Sequence, residues 1–315
     1  ITLRAAKDGY LSADQCGGGV VNANSASIGN CEKFTITIHP DSLVLFDESA
    51  VDFDNSTNAW AGYFVWGPFG ARWSLNLAKI SASEPGKLTL AAKDEWWDSW
   101  GWSHGHAAII GGLAALDSAG EWHYEAGGNG ADGTLYYKPP GWQDPENVTV
   151  EIRQRMWAVD AVGSHLVFRN MDIFAGQMRL KGNNNVLDNL RLTYGTHFVY
   201  RDTIGQDTGF NDGNNGLYLD GNDNIIKNNE INFSAGNGIS ITGDRNEVNN
   251  CLLHSFGYMG TYTSGVYFAG SGSKLKHSTL FNSGRDILHL GECSACEITH
   301  NFLHDSTLLT DDSGI

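Results

Sequence analysis

The chain has 315 residues, enough for one large domain or two, and only 18% of them are charged, with 39 glycines. That composition suits a β-rich fold with many corners and argues against a coiled coil or a disordered chain. The formal net charge of −16 with no basic stripe excludes nucleic acid as a natural partner. A neutral glycan is easier to accommodate than an anionic one, although a local Lys/Arg/His cluster can override the net field. No apolar run is long enough for a membrane span, and a chain opening at Ile1 with no signal peptide fits a processed, secreted protein.

Residues 1–40 carry Tyr10-Leu-Ser12, a Gly-rich loop at Gly17–Gly19 and Cys31-Glu-Lys-Phe34. This stretch resembles one lobe of a fascin-like β-trefoil, but no second or third copy follows. It is therefore either a cap or a set of entry strands. Residues 41–147 read as an aromatic-rich β-subdomain, with Trp60–Gly67 and Lys87–Leu90 as strands around the turn Glu84-Pro-Gly86. Asp94–His106 holds four Trp and two His, among them Trp102. Indole faces there serve either as a sugar platform or as packing.

From Ser164 onward one six-residue unit recurs: Phe168–Ile173, Leu187–Leu192, Ile226–Ile231, Val248–Leu253, Leu275–Leu280 and Ile298–Leu303, apolar at its first and sixth positions. The steps are 19, 39, 22, 27 and 23 residues. Such a period marks stacked repeats, each too small to bury its own apolar face. The 39-residue step is one turn with a large loop or two poorly matched turns. A second short strand follows each unit, as in Gly216–Gly221, Gly238–Gly243, Gly265–Gly270 and Asp286–Gly291. Alternation turns Ile239, Ile241, Val266 and Phe268 inward, and leaves an outward row of Tyr218, Ser240, Tyr267 and Leu288. The fourth positions, Asn229, Cys251, Ser278 and Asn301, are placed to stack along the coil and satisfy backbone groups at a bend.

Two strands per turn, with Gly or Asn at the corners, resemble the right-handed parallel β-helix proteins found among secreted polysaccharide lyases and glycoside hydrolases. Upstream, Leu116–Trp122 and Gly133–Pro140 are similar to a signature that precedes the coil in those proteins. The resemblance implies an all-β chain: a right-handed parallel β-helix over residues 148–315, preceded by the aromatic β-subdomain.

Chemistry is expected in the loops between each unit and the next strand, which leave the coil at one corner and stack into a wall. Asp286 occupies the corner where other turns carry Gly216, Gly238 and Gly265, and it is also a residue type that suits a turn. Asp286 and Asp312 are the expected acid/base or nucleophile pair, since glycoside hydrolysis needs two carboxylates in different environments. Asp311 is the helper or, with Asp312, a calcium ligand; no other cofactor is expected. Arg285, His254, His304 and His197 are expected to position substrate, and Tyr258, Tyr262 and Trp102 to stack on sugar rings. A wall richer in Asp than in Lys or Arg points to hydrolysis over elimination.

Asn55, Asn147 and Asn232 head glycosylation sequons. Cys293 and Cys296 fit a corner disulfide or two thiols, and Cys251 a buried thiol. The competing class is a non-catalytic extracellular rod that assembles end to end through exposed strand edges.

Overall fold

The computed structural model describes residues 10–13, 21–25, 34–39, 42–47, 61–67, 75–84, 87–90, 104–105, 108–113, 116, 119–127, 132–139, 149–151, 153, 155–196, 214–310 and 314–315. Chain contacts divide it into two units: Ile1–Ala71, Asn76–Glu151 and Arg201–Gly205 form one, and Arg72–Leu75, Ile152–Tyr200 and Gln206–Ile315 the other.

The first unit holds a seven-stranded sheet in the order His104–Gly105, Phe34–His39, Ser42–Asp47, Lys87–Leu90, Asn76–Glu84, Phe64–Gly67, Ala108–Ile110, with antiparallel neighbours throughout. Period-two alternation explains its buried face, where Val65, Ala78, Ile80, Leu88 and Leu90 are all nearly inaccessible. Hairpins pair Tyr10–Ala13 with Val21–Ser25 and Trp122–Glu125 with Thr134–Tyr137. The trefoil-like reading of residues 1–40 falls largely outside the described residues.

The second unit is a coil of parallel strands. One sheet stacks Trp157–Val162, Gln177–Lys181, Asn215–Asp220, Asn237–Thr242, Ser264–Ala269 and Asp286–Leu290. The other stacks the six-residue units. In the later turns each unit is two strands, such as Ile225–Lys227 and Glu230–Ser234, so a turn has three strands where sequence alone predicts two. The break sits at the unit's third residue: Asn170, Asn189, Asn228, Asn250, His277 and His300 all have φ between +50° and +57°. Asn tolerates this left-handed region better than most residues, so the chain bends at that point without glycine. Val186–Asp188 pairs directly with Ile225–Lys227, which makes the 39-residue step a single turn.

Each bend carries a buried polar ladder. At the unit's fourth position, Leu190 N–H donates to Asn229 Oδ1 at 2.7 Å, Cys251 N–H to Ser278 Oγ at 3.1 Å and Ser278 N–H to Asn301 Oδ1 at 2.9 Å. A second ladder runs Asn185, Asn224, Asn246, Ser273, and a third Asn215, Asn237, Ser264. Each supplies acceptors to N–H groups that a bend takes out of the strand ladder. The interior between them is apolar: Leu187, Ile226, Val248 and Leu275 form one column, and Leu219, Ile241 and Phe268 another, all 0% exposed. Cys293 and Cys296 form a corner disulfide. Cys251 is a buried thiol, with its pKa pushed up to about 11 by desolvation. This architecture is a parallel β-helix.

Candidate functional site

Where the second sheet hands over to the first, the strands ending at Ser234, Phe256 and Ser283 connect to those starting at Asn237, Ser264 and Asp286. Residues 257–263 are the one long connection among these three. Gly257 N–H pins that loop to the carbonyls of Ser234 and Gly236 at 2.8 and 3.0 Å, and the Tyr258 hydroxyl donates to Thr196 O at 3.1 Å. Burial pushes the Tyr258 phenol well above its ordinary range. Tyr258, expected as a sugar-stacking surface, is therefore a strut committed to the coil. Its neighbour Tyr262 is the residue the loop presents.

Tyr262 lies under the guanidinium of Arg285, whose Cζ is 3.9 Å from the ring centroid. Arg285 Nη1 donates to Asp286 Oδ2 at 2.5 Å, and the two side chains are only 5% and 8% exposed. His289 Nδ1 stands 3.5 Å from the same oxygen, and its ring meets Tyr262 at 5.6 Å and Tyr267 at 5.3 Å. The other carboxylate oxygen, Oδ1, is buried with no hydrogen-bond partner among the described residues. A bare carboxylate oxygen inside a protein is costly and points to a ligand or a proton. Of the expected site residues, the structure brings Arg285, Asp286 and Tyr262 together, and it sets His289 and Tyr267, which were not among them, beside this group.

Strand register puts His289 beside Tyr267. Asp286 pairs with Ser264, so it continues the Asn215–Asn237–Ser264 ladder and does not replace the corner glycines; Ile287 falls opposite Gly265. The outward row accordingly reads Arg179, Tyr218, Ser240, Tyr267, His289, while Leu288 turns inward at 1% exposure. In the last turn the closing glycine, Gly291, comes one residue earlier relative to the strand than Gly270 does, and alignment on that glycine shifts the strand by one. Alignment on the alternating apolar pair Leu288 and Leu290 finds His289.

His254 and His304 occupy another row, on the strand before the corner. They stack two turns apart with Phe281 between them: ring centroids are 5.0 Å apart on each side, with interplanar angles of 17° and 2°. Phe281 holds the same position in its unit as the two histidines, which is the signal that locates it. Since the rings use their faces on one another, they offer edges to solvent. Burial lowers the His254 pKa, opposed by Glu230 at 3.9 Å, and His304 Nδ1 contacts Asp305 at 2.9 Å.

Trp102, His197, Asp311, Asp312, Asn55 and Asn147 lie outside the described residues. Asn232 sits in mid-strand at 4% exposure and donates to Glu230 Oε1 at 2.8 Å, a burial that removes it from glycosylation in the folded chain. Among the described residues no three His, Cys, Asp or Glu side chains converge to hold a metal.

Residues 183–315 match the family model described as a right handed beta helix region. A solved structure described as "Glycoside hydrolase" superposes with a TM-score of 0.51 at 9% identity over 82% of this chain. The match covers 56% of that structure, so the present chain spans about half its length. No curated protein matches the chain in sequence. The parallel register, the repeated bends and the family match together make this an all-β chain built on a right-handed parallel β-helix.

Proposed function

We propose that the protein is a secreted carbohydrate-active enzyme that cleaves a polysaccharide by hydrolysis, with the Tyr262–Arg285–Asp286–His289 cluster at its active site. The observation that carries this reading is the partly unpaired, buried carboxylate of Asp286, held by a guanidinium and bordered by aromatic rings. Asp286 is the carboxylate of the pair that Arg285 holds in place, through the hydrogen bond to Oδ2. Asp312 is the partner acid. Support for that pairing is that Gly314, two residues further on, accepts hydrogen bonds from Ile287 and Leu288 N–H at 2.9 and 3.3 Å, beside Asp286. Calcium at Asp311 and Asp312 is the alternative use of those carboxylates. His289 and Arg285 position the sugar, while the Tyr262 and Tyr267 rings give it an apolar face. The β-helix fold alone does not select a reaction.

The test is a panel of neutral and uronate polysaccharides, scored together for new reducing ends and for the ultraviolet absorbance of an unsaturated product, with Asp286→Asn and Asp312→Asn alongside. Reducing ends without absorbance, reduced on the order of 10²–10⁴-fold in both variants, are the expected result. Absorbance would move the assignment to a lyase. No turnover on any substrate, with filaments in negative-stain images, would replace the enzyme with an end-to-end assembling rod.

A further inference from the structure

A second feature lies away from this corner, on the bend between the two strands of each six-residue unit. There the coil is concave and holds an open groove of about 630 Å³. Its lining draws on five successive turns, from Asn170 to Thr279, a length of roughly 20 Å at about 4.8 Å per turn. The floor is the row of left-handed residues, whose amides bond along the coil: Asn189 Nδ2 donates to Asn170 Oδ1 at 2.8 Å, Asn228 Nδ2 to Asp188 Oδ1 at 2.7 Å, and Asn250 Nδ2 to Asn228 Oδ1 at 2.8 Å. An amide has two donors and two acceptor lone pairs, so this chain of single bonds leaves polar capacity on the amides that line the first four turns of the groove.

The charges around the groove balance. Arg169 and Lys227 share Asp188 at 3.1 and 3.8 Å, Arg191 reaches Glu230 at 3.7 Å, and Asp172 in the lining is the third carboxylate against these three cations. The groove therefore carries no net positive charge to draw a polyanion, and the whole chain carries −16. The walls also expose apolar patches at Met171 and Leu252, each 38% accessible. Amides in four successive turns with His277 in the fifth, balanced charge, apolar wall patches and an open length of five turns fit an extended, uncharged, hydroxyl-rich polymer.

We infer that this groove is a second, non-catalytic binding site for a neutral polysaccharide chain, which holds the polymer while the corner site acts on it. The choice of a glycan rests on the proposed activity; the neutrality and the length of the ligand rest on the groove itself.

The test uses the full chain in affinity electrophoresis through gels containing a soluble neutral glucan, mannan or xylan, and in parallel a polyuronate. The central variant is Asn228→Gly/Asn250→Gly. Glycine accepts the left-handed backbone at both positions and removes the amides together with their two bonds along the coil. Thr279→Trp, which fills the groove from its wall, is the second variant. Wild-type protein is expected to be retarded by at least one neutral chain. Both variants are expected to lose that retardation about tenfold while still folding and melting cooperatively and turning over a short oligosaccharide unchanged, whereas Asp286→Asn loses turnover and keeps retardation. Retardation preserved in Thr279→Trp and in the glycine variant, or wild-type retardation by the polyuronate alone or by no glycan, would overturn the groove. Retardation lost in both variants with no turnover by any form would leave the groove standing and remove the catalytic reading.

Discussion

His254 shows how one side chain sets a pH dependence here. Its imidazole is held below its ordinary value by burial, against the pull of Glu230. Unfolding returns it to about 6.5, so just below that pH the unfolded chain binds more protons than the folded one. The contribution is therefore present above about pH 6.5 and is lost as pH falls through the folded-state value. His254→Phe keeps the stack, because Phe281 already fills the equivalent place in the next turn. Thermal melts at pH 7 and pH 5 should show a smaller acid-induced drop in the variant than in wild type; equal drops would show that His254 does not carry the effect. The stacking of His254 and His304 is legible from their shared place in the repeat. That Tyr258 turns into the coil is not, because a tyrosine in a loop reads the same whether its ring faces solvent or its hydroxyl finds a carbonyl.

At the scale of the bend, the ladders are what permit so sharp a turn without glycine. Asn229 accepts from Leu190 N–H at 2.7 Å and donates to Leu187 O at 3.2 Å, so Asn229→Ala strands two buried backbone groups. The expected loss is roughly 2–4 kcal/mol, measured by denaturant unfolding. Asn229→Ser should lose less, since Ser278 does the same job for Cys251 in a later turn. A loss of less than about 0.5 kcal/mol for the alanine would mean that water replaces the amide. This ladder is readable from the sequence because its members share the fourth position of an evident repeat. The ladders of Asn185 and Asn215 lie outside that unit and escape it, although an Asn stands two residues before an inward apolar residue in turn after turn. The opposite corner depends on glycine: Gly243 has φ +117°, and an added Cβ would come within 2.4 Å of Gly221 O. The variable loops are the least legible segments, because their lengths follow no repeat and their side chains find partners in other turns.

For the molecule as a whole, the repeat is enough to recognise the coil and its inward columns, although the early closing glycine of one turn, Gly291, misplaces Leu288 by one residue. It leaves open how residues that precede the repeat pair up, because antiparallel strands far apart in sequence share no period. Charge acts at this same scale. The surface ion pairs Arg245–Asp223 at 2.7 Å, Arg169–Asp188 at 3.1 Å and Lys276–Glu297 at 3.3 Å each keep at least one partner well exposed to solvent. Each such pair contributes only about 0–1 kcal/mol. Against them stands a net charge of −16, whose repulsion sums over every pair of excess carboxylates in the chain. Salt weakens both, but unequally. Contact pairs are closer than any Debye length, whereas the summed repulsion acts across distances that are screened at about 0.15 M and unscreened at about 0.01 M. Raising the ionic strength over that range with sodium chloride should therefore raise the melting temperature. A fall would mean that the ion pairs outweigh the net charge, and would make their ladder along the coil a principal source of its stability.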